Sequence, residues 1–233
     1  MRTFSPDLIV EVTTACNRSC SGCYAPNVVT TTDPRTLIER NPEYFFSVEK
    51  IKSMVKEWAH GLLQTISLRG GEPSVHPYLG CLAEELSKIG SDIIIETHGR
   101  WLLENSRHKY SDLISKLKEI GTIIKISFDS MHGLSSKELS SIVEFLDSQD
   151  IRVLIAITEF SIEEFLNVKE QIPPHITAPI IYQKKAASID ALIKPRIGVI
   201  NVNGILNQTL TSKLAPTELK INTLSMKLEL VTC

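Results

Sequence analysis

Charge of one sign, long apolar runs and cysteine are all scarce in this 233-residue chain. Lys and Arg number 25 against 27 Asp and Glu, a formal net charge of −2. No extended field for nucleic acid or a membrane surface is therefore predicted. No segment approaches the roughly 20 apolar residues that span a bilayer. The N-terminal MRTFSPDLIVEVTT carries no cleavage-site pattern, so no signal peptide is expected. There are five cysteines, an odd number, and three of them fall within positions 16–23, too close together for a disulfide scaffold. These absences predict a cytoplasmic protein. In a reducing compartment, a tight cysteine cluster reads first as a metal site.

What is present is an ordinary globular composition, 42% hydrophobic and 22% charged, on a length that suits one α/β domain with a full core. Strand-like runs recur at DLIVEVT (7–13), LLQTISL (62–68), SDIIIET (91–97), TIIKISFD (122–129), IRVLIAIT (151–158) and APIIYQ (178–183). Between them lie helical stripes: Ile51, Met54, Val55 and Trp58; Leu79, Leu82 and Leu86; Leu113, Leu117 and Ile120 before Gly121; Leu139, Ile142, Val143 and Leu146. Ser135 to Glu138 and Ser161 to Glu164 have capping-box spacing.

Apolar strands alternating with amphipathic helices predict a parallel sheet covered by helices. Six β-α units are too few for a closed eight-stranded barrel, so an open six-stranded one is expected. Its active site would lie at the C-terminal ends of the strands. The unusual residues fall there: the cysteines after the first strand, Gly70-Gly71-Glu72-Pro73 after the second, Thr97-His98-Gly99 after the third, and Ser127 and Asp129 at the fourth. The barrel is assigned to residues 1–185. Residues 186–233 form a C-terminal extension, with a β-hairpin expected over 196–208 and turning at Asn203-Gly204.

Four cysteines close an iron–sulfur cluster for electron transfer. Three on a four-iron cube leave one iron open, and an open position is what distinguishes a catalytic metal from a structural one. A structural zinc would instead need Cys81 or His98 as a fourth ligand.

Cys16-x3-Cys20-x2-Cys23 just past a first strand, with GGEP after the second, resembles the radical S-adenosylmethionine (SAM) superfamily over roughly residues 7–183. The resemblance implies a partial (β/α)6 barrel in which Cys16, Cys20 and Cys23 hold one [4Fe-4S] cluster whose free iron chelates S-adenosylmethionine. It implies that Gly70 and Gly71 bring backbone close to the methionine part, and that Glu72 orients the loop or accepts from the amino group. Ser127 and Asp129 would contact the ribose or the methionine end, and Tyr24 would meet the adenine.

An external donor of flavodoxin or ferredoxin type would supply the electron that cleaves SAM to a 5′-deoxyadenosyl radical. That radical would take hydrogen from a peptide or small-molecule substrate. No catalytic residue beyond the cluster site is assigned. The chain departs from the family in having Gly22 before the third cysteine, where an aromatic residue is common, and His98 where relatives often have Asn.

The extension contains only Cys233, so no auxiliary cluster is expected. A ring-forming enzyme resembling 7-carboxy-7-deazaguanine synthase, a glycyl-radical activating enzyme and a non-catalytic cluster- and SAM-binding regulator remain as alternatives. His76-Pro77 reads as a helix-entrance feature. For His98 a functional and a structural role are equally open, and Lys184-Lys185 read as a solvated pair beside the predicted pocket.

Overall fold

The computed structural model describes residues 6–20, 23, 28–30, 32–59, 64–89, 92–184, 198–200 and 206–208. Strands β1 (Leu8–Thr13), β4 (Thr65–Gly70), β5 (Asp92–Thr97), β6 (Ile123–Ser127), β7 (Arg152–Glu159) and β8 (Ile180–Lys184) pair in that order, all parallel. They are the six strands expected. Two short strands, β2 (Ala15–Cys16) and β3 (Val28–Val29), form a separate parallel pair. The helices are α1 (Pro34–Arg40), α2 (Val48–Ala59), α3 (Leu79–Ser87), α4 (Ser111–Ile120), α5 (Ser136–Ser148) and α6 (Ile162–Lys169). No helix among the described residues is long and apolar enough to cross a membrane.

The sheet is wider than six strands. Beyond β1 lies β9 (Gly198–Ile200), parallel to it, and then β10 (Leu206–Gln208), antiparallel to β9. The expected turn at Asn203-Gly204 lies outside the described residues.

Alternation along the strands sorts the two faces of the sheet. Leu8, Val10 and Val12, Ile66 and Leu68, Ile93 and Ile95, Ile124 and Ile126, and Val153, Ile155 and Ile157 share one core with Ile51, Val55, Leu79, Leu82, Leu117, Leu139 and Ile142 of the helices. Both capping boxes form, at Ser135–Glu138 and Ser161–Glu164. Gly121 closes α4 in the left-handed conformation, φ 73°.

The opposite face departs from the apolar expectation. Glu11 pairs in register with Arg69, and Glu96 with Lys125. Arg69 Nη2 lies 3.2 Å from Glu11 Oε1, and Lys125 Nζ lies 3.1 Å from Glu96 Oε1, which also accepts from the Ser67 hydroxyl. Lys125 is only 2% exposed. Burial would raise the Glu96 pKa, but the Lys125 and Arg69 charges hold it below the usual carboxylate range. A row of alternating charge thus crosses four strands just beneath their C-terminal ends.

The turn Pro73–Val75 carries His76 into the core, where it is 2% exposed. Its Nε2–H donates to the Phe46 carbonyl at 2.8 Å, and Nδ1 accepts from the Tyr78 N–H at 3.1 Å. Both nitrogens are satisfied by the neutral ring, and burial pushes the pKa down from 6.5 to about 4, against the Phe46 bond. Between those values the unfolded chain binds the extra proton, so stability falls as pH falls. The gap is worth about 3 kcal/mol. Urea titrations at pH 7 and pH 4.5 should therefore show wild type losing most of its advantage over His76→Gln. An unchanged advantage would mean that His76 is not held neutral.

Candidate active site

The site is built at the edge where β1, β4, β5, β6 and β7 end. β1 leaves the sheet at Thr13, whose hydroxyl donates to the Tyr44 carbonyl (2.8 Å) and accepts from the Ala15 N–H (3.0 Å). Phe45 and Phe46 beside it are buried, as packing residues rather than a pocket wall. The chain then forms β2, and the Thr30 N–H donates to the Cys16 carbonyl at 2.8 Å. The pairing of β2 with β3 closes the neck of the cysteine loop. Two-residue strands leave no periodic signal, so this neck is not visible in the sequence.

Cys16, Cys20 and Cys23 are not joined in a disulfide; the first is buried, the second half-buried and the third exposed. Burial pushes the Cys16 pKa up to about 11, with smaller pushes from Glu72, Cys20 and Cys23, while a hydrogen bond from the Arg18 backbone pulls it down. Those pushes place the other two sulfurs within electrostatic reach of the first.

Gly70 and Gly71 have a steric cause within the chain itself. A Cβ on Gly70 would stand 2.2 Å from the Thr13 carbonyl oxygen, and one on Gly71 would stand 2.2 Å from that of Ala15. Backbone meets backbone here: Gly71 N–H donates to Thr13 O (2.8 Å) and Glu72 N–H to Ala15 O (2.9 Å). The glycines therefore weld the end of β4 to the start of the cysteine loop.

Glu72 is 1% exposed and fully occupied. Its Oε1 accepts from the Ser74 N–H (3.2 Å) and the Thr97 hydroxyl (2.7 Å), and its Oε2 from the His98 N–H (3.1 Å). Of the two roles the resemblance implied, this geometry performs the orienting one, tying the β4 turn to the end of β5.

His98 is 5% exposed. Its Nδ1 accepts from the Arg100 N–H (3.1 Å), and Nε2 lies 2.8 Å from Asn17 Oδ1 and 3.3 Å from Glu72 Oε2. Burial lowers its pKa, with Glu72 pulling the other way. The proton of the neutral ring sits on Nε2, so neither nitrogen offers a lone pair to zinc. Cys81, the other candidate fourth ligand, is half-buried on α3 and packs against the main core.

Ser127 ends β6, half-buried. Asp129 Oδ1 accepts from the Met131 and His132 N–H groups and lies 2.7 Å from His132 Nδ1. Asp129 Oδ2 is buried with no partner among the described residues, as is Ser74 Oγ. Glu159 at the end of β7 receives the Ser130 N–H and hydroxyl. Tyr24 and Lys185 lie outside the described residues, as does the side chain of Lys184.

The profile of the Radical SAM superfamily matches residues 10–146, more than half of the chain. This chain belongs to the radical SAM superfamily. Membership carries with it a [4Fe-4S] cluster and S-adenosylmethionine as cofactors. The chain is 28% identical over 171 residues to the sporulation killing factor maturation protein SkfB of Bacillus subtilis (strain 168), covering 70% of this chain and 38% of SkfB. Streptococcus suis SuiB bound to precursor peptide SuiA is similar with TM-score 0.47 and 12% identity, covering 85% of this chain and 58% of SuiB. SuiB bound to S-adenosylmethionine gives 0.46 and 10%, covering 85% and 59%. The chain thus spans less than two thirds of the length of each of these relatives.

The donor set fits the radical SAM cofactors. Three thiols, a buried carboxylate oxygen and a buried hydroxyl, the last two without a partner among the described residues, all stand on one edge of the sheet. A buried thiol whose pKa is pushed up to about 11 keeps its proton near neutral pH until a cation takes the proton's place on sulfur, so metal binding at Cys16 would release a proton to solvent. Sequence reasoning missed Asn17, Glu159 and the charged row, because each matters through a partner far away along the chain; it missed His132 too, although its partner Asp129 is only three residues away.

Proposed function

We propose that this chain is the catalytic barrel of a radical SAM enzyme that cleaves S-adenosylmethionine reductively at a cluster held by Cys16, Cys20 and Cys23. The observation that carries the reading is the loop of three cysteines outside any disulfide, welded through Gly70, Gly71 and Glu72 to the edge that bears Asp129 Oδ2, buried without a partner among the described residues. When bound, the reduced cluster and SAM supply a 5′-deoxyadenosyl radical that takes hydrogen from the substrate.

The chain's own residues divide the remaining work. The three thiolates hold the cluster and leave one iron open. The backbone of Gly70 and Gly71 lines the methionine end, and the bound carboxylate of Glu72 keeps that backbone in place. Asp129 offers Oδ2 to a hydroxyl or ammonium of SAM while Oδ1 anchors its own loop, and Ser127 stands beside it. Tyr24 is assigned the adenine contact. Residues 1–185 form the barrel, and residues 186–233 an extension that lends β9 and β10 to the sheet.

The substrate is proposed to be a peptide. The name of SkfB as a maturation protein and the precursor peptide bound to SuiB support this choice over a small metabolite. The electron would come from a flavodoxin- or ferredoxin-type donor.

The test is anaerobic reconstitution with iron and sulfide, then SAM and a strong reductant. The expected result is cluster absorbance together with release of 5′-deoxyadenosine. Zinc in place of iron, or a cluster without that product, would overturn the proposal.

A further inference from the structure

The residue that replaces the family's common Asn, His98, has a task that the cofactor assignments leave unused. It stands at the end of β5, where its backbone has little freedom. Thr97 Oγ1 donates to Glu72 and accepts from the Gly99 N–H (3.0 Å) and the buried Trp101 indole N–H (2.8 Å). Gly99 turns the chain with φ 78°, and a Cβ there would lie 3.3 Å from the Ile126 side chain. Arg100 is fixed in turn by Glu138 (3.0 Å) and the Gly133 carbonyl (2.6 Å).

The imidazole is therefore aimed from a rigid base. Because Nδ1 accepts from the Arg100 N–H, the ring proton is left on Nε2, facing Asn17 Oδ1. This bond joins residues 81 apart in sequence. Asn17 is exposed, and it stands between Cys16 and Arg18, whose backbone N–H binds the Cys16 sulfur.

We propose that His98 is a positioning residue of the cysteine loop: it grips the Asn17 side chain and through it holds Cys16 and the Arg18 N–H in the arrangement that receives the cluster. The role rests on the three-cysteine reading above. Without the grip, the strand at the neck still places Cys16, but the next residue is free to swing and the sulfur loses its backbone donor. Glu72, 3.3 Å from the same Nε2, makes the grip continuous with the glycine weld.

The test uses His98→Phe, His98→Gln, Asn17→Ala and the double variant His98→Phe/Asn17→Ala. In metal-free folded protein, the rate of Cys16 alkylation is read by mass spectrometry, with exposed Cys23 as internal reference. In reconstituted protein, the rate of iron loss to a chelator and the electron paramagnetic resonance spectrum of the reduced cluster with SAM are read. One hydrogen bond lost to a nearly neutral ring corresponds to about a five- to tenfold change.

The expected result is that release of Cys16 from burial, the larger influence on its thiol, outweighs the lost Arg18 donor, so that both rates rise about five- to tenfold in His98→Phe and equally in Asn17→Ala. The double variant should be no worse than either, and His98→Gln, whose amide still donates, should restore most of the wild-type behaviour and spectrum. Additive effects in the double variant, or rates unchanged in Asn17→Ala, would overturn the proposal. Asn17 is exposed, so that arm decides even if His98→Phe fails to fold. Alkylation needs no cluster, so a wild type that takes up no iron would sink the three-cysteine reading while leaving the grip itself measured.

Discussion

Replacing Cys16, Cys20 or Cys23 by alanine is expected to bring iron after anaerobic reconstitution down to background, and 5′-deoxyadenosine release with it. The loss should exceed the roughly 10–100-fold that follows from disturbing an outer partner of a metal ligand. One feature makes it complete rather than partial. The buried Cys16 thiol, its pKa pushed up to about 11 by burial with smaller pushes from Glu72, Cys20 and Cys23, gives up its proton only if a cation repays the burial. With one ligand gone, the remaining thiolates repel each other around a cluster held at two corners. Cys81→Ala, on α3 against the core, should leave iron content and SAM cleavage intact. Full iron content in any of the three variants, or its loss in Cys81→Ala, would assign the ligands elsewhere.

Gly71→Ala should be the most destabilising single methyl group that can be added at this edge. The new Cβ would meet the Ala15 carbonyl at 2.2 Å for oxygen and 2.6 Å for carbon, and Thr14 O at 2.9 Å. All three are backbone atoms, so no side chain can swing away. Relief requires parting β4 from the loop, which breaks Glu72 N–H to Ala15 O and loosens Gly71 N–H to Thr13 O. Overpacking of about 1–3 kcal/mol and about 1 kcal/mol for each bond lost give an expected cost of about 3 kcal/mol or more in urea unfolding.

Gly133→Ala is the comparison. There φ is 57° but nothing lies within 4 Å of the added methyl, so left-handed strain alone, about 1 kcal/mol, is expected. Because Ala15 directly precedes Cys16, any Gly71→Ala protein that folds should also take up less iron. Equal costs for the two variants would show that conformational strain, and not the close approach of two backbones, keeps glycine at position 71.

The reasons behind the candidate residues were less legible than their positions. GGE was conspicuous in the sequence, but nothing local showed that the atoms nearest the missing Cβ groups of its glycines belong to Thr13 and Ala15. His98 stood out on an active edge, but its partner Asn17 is 81 residues away and exposed. The apolar runs predicted six strands, and those six formed. The apolar runs gave no sign that Glu11, Arg69, Glu96 and Lys125 would form a row, since each strand carries only one of these charges and looks hydrophobic alone.

By itself the sequence determined the alternation of strands and helices, the caps, the spacing of three thiols, and the motif order that identifies the superfamily. All of these depend on residues within a few positions of each other. The tertiary structure alone decided that β9 joins beside β1, that opposite charges 29 residues apart at Glu96 and Lys125 become neighbours, and that Glu72, His98 and Asn17 form one chain of hydrogen bonds. Register between distant strands sets those meetings, and no local periodicity encodes it.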